Sequence, residues 1–368
     1  MTAWKVPKRI PYLDGLRAYS IFAVVLGHSI RLINLFHYPW MEPVAILFGS
    51  GGLGVHIFFV LSGFLITTLL LKEQNKTSRI SVSGFYERRI ARIFPAFYTY
   101  FVFILVLVAL HRLDISWKLL LAAATYTWNY GHWWWGVVTP DGSFTLGHLW
   151  SLSLEEQFYM VWPACLILFG RRGAKRWAIG AVALLPFVRF ALYYLRPTDR
   201  GQLGMMFHTS CDSILWGALA AFLASEGAID GLRNFRFRAW VPWTSGAAIF
   251  VLCPVLERIN RGFGLVAVPS IQACAVVLFI FWLLSGEGGV ARRLLETKPL
   301  VQLGLLSYSI YIWQEIFTLW DELPPLLSSV PARWICILVS SALSYYLVEV
   351  PLRRVIRQWF AQPVPVHD

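Results

Sequence analysis

Ten long apolar stretches divide this chain of 368 residues, at 13–33, 47–71, 93–110, 149–169, 177–195, 204–225, 240–256, 265–285, 303–319 and 331–352. A helix needs roughly 20 apolar residues to cross a hydrocarbon core. Lipid offers no water to backbone amides, so a spanning segment must satisfy its own hydrogen bonds. The stretches therefore predict an all-α fold, a polytopic transmembrane helical bundle of about ten spans. Charged residues make up only 14% of the chain, against about 25% for a soluble domain. The largest inner loop, 72–92, is too short to fold alone, and the tail after about residue 357 is short and contains proline. One integral-membrane domain over 1–368 is expected, with no appended soluble domain. Residues 1–11 are basic but short, and no small-residue cleavage site follows the first stretch, so no cleavable signal is expected.

The net charge of +12 would suit a polyanion partner, but the positions of the charges do not. Of 32 Lys and Arg, 22 fall in six clusters between stretches: Lys5 to Arg9, Lys72 to Arg92, Arg171 to Arg176, Arg233 to Arg238, Arg292 to Lys298 and Arg353 to Arg357. Basic loops of this kind mark the cytoplasmic side, so no nucleic acid is needed to explain them. Placing all six clusters inside requires an even number of crossings between neighbours. The stretch 117–130 breaks that parity and is too short to span. It is read as an interfacial or re-entrant piece on the outer face, leaving ten spans and both termini cytoplasmic. His132-Trp133-Trp134-Trp135 follows it and suits either an interfacial aromatic belt or a stack against a sugar ring. Five cysteines lie singly in or beside apolar runs, so neither a disulfide nor a metal site is expected.

Ionisable residues at membrane depth carry the chemistry, because they are costly there and retained for a use. Arg17 and His28 are eleven residues apart; at 100° per residue they share a helix face, about 16 Å apart along the axis. His28 is the candidate general base. Glu155 and Glu156 enter the fourth span from its outer end at a similar depth. They project about 100° apart, and one of them is expected to face a cavity. Arg88, Arg89 and Arg92 open the third span from the cytoplasm, Arg89 and Arg92 on one face. Guanidinium forks match phosphate oxygens, and Pro95 is expected within the helix's tolerant start. Arg189 and Asp212 read as a structural ion pair or a pore-lining pair. Ser307, Tyr308, Tyr311 and Gln314 form a polar stripe that serves packing or a cavity. Gly49-Ser50-Gly51-Gly52-Leu53-Gly54 matches a dinucleotide fingerprint, but neither a strand nor a βαβ unit surrounds it.

Four of these segments, in this order along the chain, resemble the acyltransferase 3 family of bacterial membrane proteins. They are Tyr12-Leu13-Asp14-Gly15-Leu16-Arg17-Ala18 running on to Gly27-His28-Ser29, Gly54 to Ile66, Arg88-Arg89-Ile90-Ala91-Arg92-Ile93-Phe94-Pro95, and Trp150 to Tyr159. Weaker echoes are Asp212 to Gly217, Ser307 to Trp313 and Glu349-Val350-Pro351. The resemblance implies an O-acyltransferase of the bacterial inner (cytoplasmic) membrane. Its donor would be acyl-CoA, most often acetyl-CoA, bound at Arg17, Arg88, Arg89 and Arg92. Its acceptor would be a hydroxyl of a carbohydrate or glycolipid at the outer face. His28, Glu155 and Glu156 are the catalytic candidates, with a glutamate orienting the imidazole and an acyl-histidine intermediate as a variant. His56, Asp212, Tyr308, Tyr311 and Gln314 are the substrate-binding candidates. Gln314 stands where the family often has His, and His56 where Asp is frequent. The competing class is a proton-coupled transporter or flippase, which also carries charges at the midplane. Oligomeric state stays open, a homodimer included.

Overall fold

The computed structural model describes residues 9–33, 51–135, 143–320 and 323–361. Among these residues there is no strand. The main helices are α1 (Pro11–Ile33), α2 (Gly51–Thr77), α3 (Val82–Ala109), α4 (Trp117–Ala124), α5 (Leu149–Leu195) and α6 (Asp212–Ser225). They continue as α7 (Arg238–Ile259), α8 (Arg261–Leu284), α9 (Lys298–Thr318) and α10 (Val330–Phe360). Six of them, α2, α3, α5, α7, α8 and α10, are long and apolar enough to cross a membrane. The chain is a multi-pass membrane protein. Helices α1 and α9 have 23 and 21 residues, long enough to span, but they carry polar side chains that turn inward.

Local sequence explains where helices differ from the apolar stretches. Two stretches, 149–169 and 177–195, join in the 47 residues of α5, which break at Gly170 with φ 63° and ψ 177°. Only glycine adopts that backbone without strain. The stretch 204–225 is not one helix. Its first part is a short turn at Phe207–Ser210, and α6 keeps 14 residues, about 21 Å. The stretch 117–130 yields the eight residues of α4, about 12 Å of helix and too little to cross. Helix α3 starts at Val82, capped by the Ser81 hydroxyl accepting from the Gly84 N–H. Pro95 thus lies in its interior, where it removes one hydrogen-bond rung, and not in the tolerant first turn. Gly49 and Ser50 of the glycine motif lie outside the described residues, and Gly51 opens α2.

Helix α1 packs against α9 and α2, and α2 against α6. Lipid tails are as apolar as leucine, so these contacts rest on close backbone approach. A Cβ at Gly304 on α9 would lie 1.9 Å from the Asp14 carbonyl oxygen on α1. Gly63 on α2 and Gly217 on α6 fit each other's helix reciprocally, their Cβ positions 1.9 Å from the Ile214 oxygen and 2.0 Å from the Val60 oxygen. Phe64, Leu61, Val60 and Ala220 are completely or almost completely buried along this seam.

The basic clusters meet at one end of the bundle. Arg292 stacks on Tyr12, 4.8 Å from its ring centre, and Arg238 pairs with Glu287 at 2.9 Å. Lys175 pairs with Glu226 at 2.5 Å beside the Ala228–Arg233 helix. Arg88 and Arg357 line a shared depression. Arg9 and Lys72 reach one common cavity. Helix α9 starts beside this end and carries its chain to the other.

Candidate active site

A cavity of about 430 Å³ opens among α1, α2, α3, α5 and α9. Asp14 and Arg17 of α1 reach it, with Ser62 and Lys72 of α2 and Arg89 and Arg92 of α3. Glu155, Glu156 and Tyr159 of α5 and Ser307, Tyr308 and Tyr311 of α9 complete its polar wall. Arg9 also faces it, so the wall holds Arg9, Arg17, Lys72, Arg89 and Arg92 against the carboxylates Asp14, Glu155 and Glu156. Cations outnumber anions, and in low dielectric such an excess attracts an anion.

Each charged group has its place for a local reason. Asp14, one turn before Arg17, meets it at 3.3 Å and takes the Arg9 Nε–H at 2.7 Å. Arg89 and Arg92 are a turn apart on α3 and share the cavity face. They sit two to three turns inside the helix, beyond the reach of its terminal dipole. The Arg89 guanidinium lies over the Tyr159 ring, 5.4 Å from its centre. It is within electrostatic reach of Glu155 and Glu156. Its buried Nε–H has no hydrogen-bond partner among the described residues. Glu155 accepts short hydrogen bonds from the Ser62 and Tyr159 hydroxyls. Tyr308 donates to the Ile93 carbonyl at 3.1 Å, bracing α9 on α3.

The upper end of the cavity closes at Tyr311. Its hydroxyl bonds the Ser151 hydroxyl at 2.5 Å and donates to the His148 carbonyl at 3.1 Å. One turn further along α9, Gln314 Oε1 is 2.7 Å from His28 Nδ1. His28 does not line the cavity; on α1 the lining ends at Arg17. The imidazole is thus oriented by an amide, not by a glutamate, because Glu155 is engaged by hydroxyls on its own side. A second imidazole, His148, is fully buried with Nδ1 at 2.5 Å from Glu315 Oε2.

Of the residues singled out in the sequence, Arg17, Arg89, Arg92, Glu155, Glu156, Tyr308 and Tyr311 converge on the cavity. Arg88 does not; it turns away to pair with Glu73 at 3.0 Å. His56 and Asp212 do not line it either. His56 Nδ1 is 2.8 Å from the Ser213 hydroxyl. Asp212 forms a two-pronged pair with Arg189 at 2.9 and 2.8 Å, and Ser270 donates to it. Both charges of that pair are fully buried. Arg189 also donates to the carbonyls of Thr209 and Val266, so the pair is a satisfied structural link among α5, α6 and α8. Sequence reasoning missed Asp14, Ser62, Tyr159, His148 and Glu315. Asp14 and Tyr159 stood at helical spacing from Arg17 and Glu155, and Glu315 was a carboxylate inside an apolar stretch. No metal-binding group of residues occurs among the described residues.

The chain is 29% identical over 375 residues to the peptidoglycan O-acetyltransferase OatA of Listeria monocytogenes, covering 94% of this chain and 56% of that protein. It is 26% identical over 369 residues to the O-acetyltransferase OatA of Staphylococcus aureus, covering 95% of this chain and 58% of the relative. The chain thus spans a little over half the length of these relatives. No solved structure matches it. The family described as an acyltransferase domain matches residues 10–350. The chain belongs to the acyltransferase 3 family.

Proposed function

We propose that the protein transfers an acyl group, most simply acetyl, from cytoplasmic acyl-CoA to a hydroxyl of a cell-envelope carbohydrate at the outer face of the inner membrane. The observation that carries this reading is the convergence of Arg17, Arg89 and Arg92 with Glu155 and Glu156 on one cavity at the basic end of the bundle. Basic clusters mark the cytoplasmic side, and their meeting at one end supports ten crossings with both termini inside. The donor's phosphates would meet Arg9, Lys72, Arg89 and Arg92. The orphaned Arg89 Nε–H in this wall suits an anionic oxygen. The pantetheine arm would then run past Arg17 toward Tyr311. The names of the relatives support a glycan acceptor.

His28 would accept the proton of the acceptor hydroxyl on Nε2, since Gln314 engages Nδ1. The acceptor oxygen bonds the acyl carbon as the carbon–sulfur bond breaks. Tyr311 and Ser151 stand between the cavity and His28. One helical turn, about 4.5 Å along α9, separates Tyr311 from Gln314, so their displacement by the donor would complete the path. Purified protein in nanodiscs, given labelled acetyl-CoA and a soluble aminosugar oligosaccharide, is expected to label the sugar, and His28→Ala to lose that transfer while still binding donor. Normal transfer by this variant would remove the base from the scheme. Failure of the unaltered protein to use acetyl-CoA would remove the donor.

A further inference from the structure

Helix α9 holds two imidazoles with consecutive side chains. Gln314 takes Nδ1 of His28 and Glu315 takes Nδ1 of His148. The second pair is the more enclosed, with 0% and 5% of the side chains exposed. Glu315 Oε2 also accepts the His148 backbone N–H at 2.7 Å. A Cβ at Gly147 would come within 3.2 Å of both carboxylate oxygens, so the seat is closely fitted. His148 Nε2 is buried and has no hydrogen-bond partner among the described residues. An orphaned polar atom at such depth is costly unless a use offsets it.

Among the described residues, His148 is the only cation-forming group that pairs with Glu315. A carboxylate at membrane depth must be neutralised. The pair is neutral only when it carries one proton beyond a carboxylate and a neutral imidazole, whichever atom the proton rides on. In that state the pair has one proton to give and one free nitrogen to give it through. Neither His148 nor Glu315 lines the donor cavity; the pair lies behind Tyr311, whose hydroxyl donates to the His148 carbonyl, so the displacement of Tyr311 that opens the way to His28 would also uncover the pair. The rings of His148 and Tyr311 are also edge to face, 5.5 Å apart.

We propose that the His148–Glu315 pair is the proton donor to the departing thiolate of the acyl donor. This rests on the acyl-transfer reading above. The acceptor O–H bond breaks and its proton goes to His28 Nε2. The new carbon–oxygen bond forms, the carbon–sulfur bond breaks, and the thiolate takes the stored proton from His148 Nε2. His28 then releases its proton and the pair takes one up before the next turnover, so the sum is one acyl group moved and one thiol released.

The test uses the full chain and two donors, acetyl-CoA and S-(4-nitrophenyl) thioacetate, whose acidic thiol departs without a proton. His148→Asn keeps a donor near Glu315 but removes the free nitrogen. Glu315→Gln keeps an acceptor for both N–H groups but removes the charge. General acids contribute on the order of 10²–10⁴-fold. Each variant is expected to slow transfer from acetyl-CoA by about 100-fold and to leave the aryl thioester near the unaltered rate. Equal losses with both donors, or no loss, would overturn the proposal and leave Glu315 as the anion that caps α5. So would loss of fold in both variants. An unaltered protein inert toward acetyl-CoA defeats the acyl-transfer reading itself, a result separate from equal losses in the variants.

Discussion

At the scale of single residues, the cavity wall divides its labour by partner. Asp14 and Glu155 are already engaged, the first by Arg9 and Arg17 and the second by Ser62 and Tyr159. Arg89 keeps an unpaired N–H. An incoming anion therefore gains most from Arg89 and Arg92, while Asp14 holds Arg17 in register. A hydrogen bond to a charged group contributes about 1.5–3 kcal/mol, and about 1.4 kcal/mol is tenfold in affinity. Arg92→Ala is accordingly expected to raise KM for acetyl-CoA by about tenfold or more. The same variant should scarcely change KM for a short acetyl thioester that lacks the nucleotide. Steady-state kinetics with the two donors decides it: parallel rises would mean that Arg92 shapes the whole cavity and does not read the phosphates.

Helix contacts show how far the sequence could be followed. The apolar stretches located the helices because burial in lipid demands apolar length, and Arg17, Glu155 and Arg89 stood out because charge is scarce there. What the stretches did not reveal follows from tertiary contact. The partner of His28 is 286 residues away, and Ser62 meets Glu155 across 93 residues; no local period encodes either. Arg189 and Asp212 could be matched as lone opposite charges of neighbouring spans, but whether they lined a pore or tied helices together depends on burial, and both charges are fully buried. Breaks were equally hidden: Gly170 reads as one more small residue until its backbone angles are seen. The helix seams themselves rest on glycine. Overpacking costs about 1–3 kcal/mol and sometimes more, and at Gly63 the clash is with backbone, which cannot rotate away. Gly63→Leu should therefore lower the melting temperature of the purified protein sharply. Gly52→Ala, with open space around it, should leave it unchanged. Equal melting of the two variants would mean that α2 and α6 do not rely on this contact.

The whole molecule is polarised, with basic clusters and cavity mouth at one end and His28, Gln314, His148 and Glu315 toward the other. That asymmetry suits a reaction whose charged donor and sugar acceptor approach from opposite faces, and it makes sidedness the property to measure. Cysteine labelling suits the chain because Cys165, Cys211 and Cys253 are buried, and all five native cysteines can be replaced to give a silent background. In that background Ser78→Cys reports on the loop between α2 and α3, beside the basic end. Leu326→Cys reports on the turn between α9 and α10, where Leu326 is 86% exposed. A membrane-impermeant maleimide should label Leu326→Cys in spheroplasts and reach Ser78→Cys only after the membrane is opened. The positive clusters predict this order, since Lys72, Lys76 and Arg79 flank Ser78. Labelling of both positions from outside, or the reverse order, would invert or break the topology. The cavity would then no longer face the compartment from which the proposed donor, acyl-CoA, must enter.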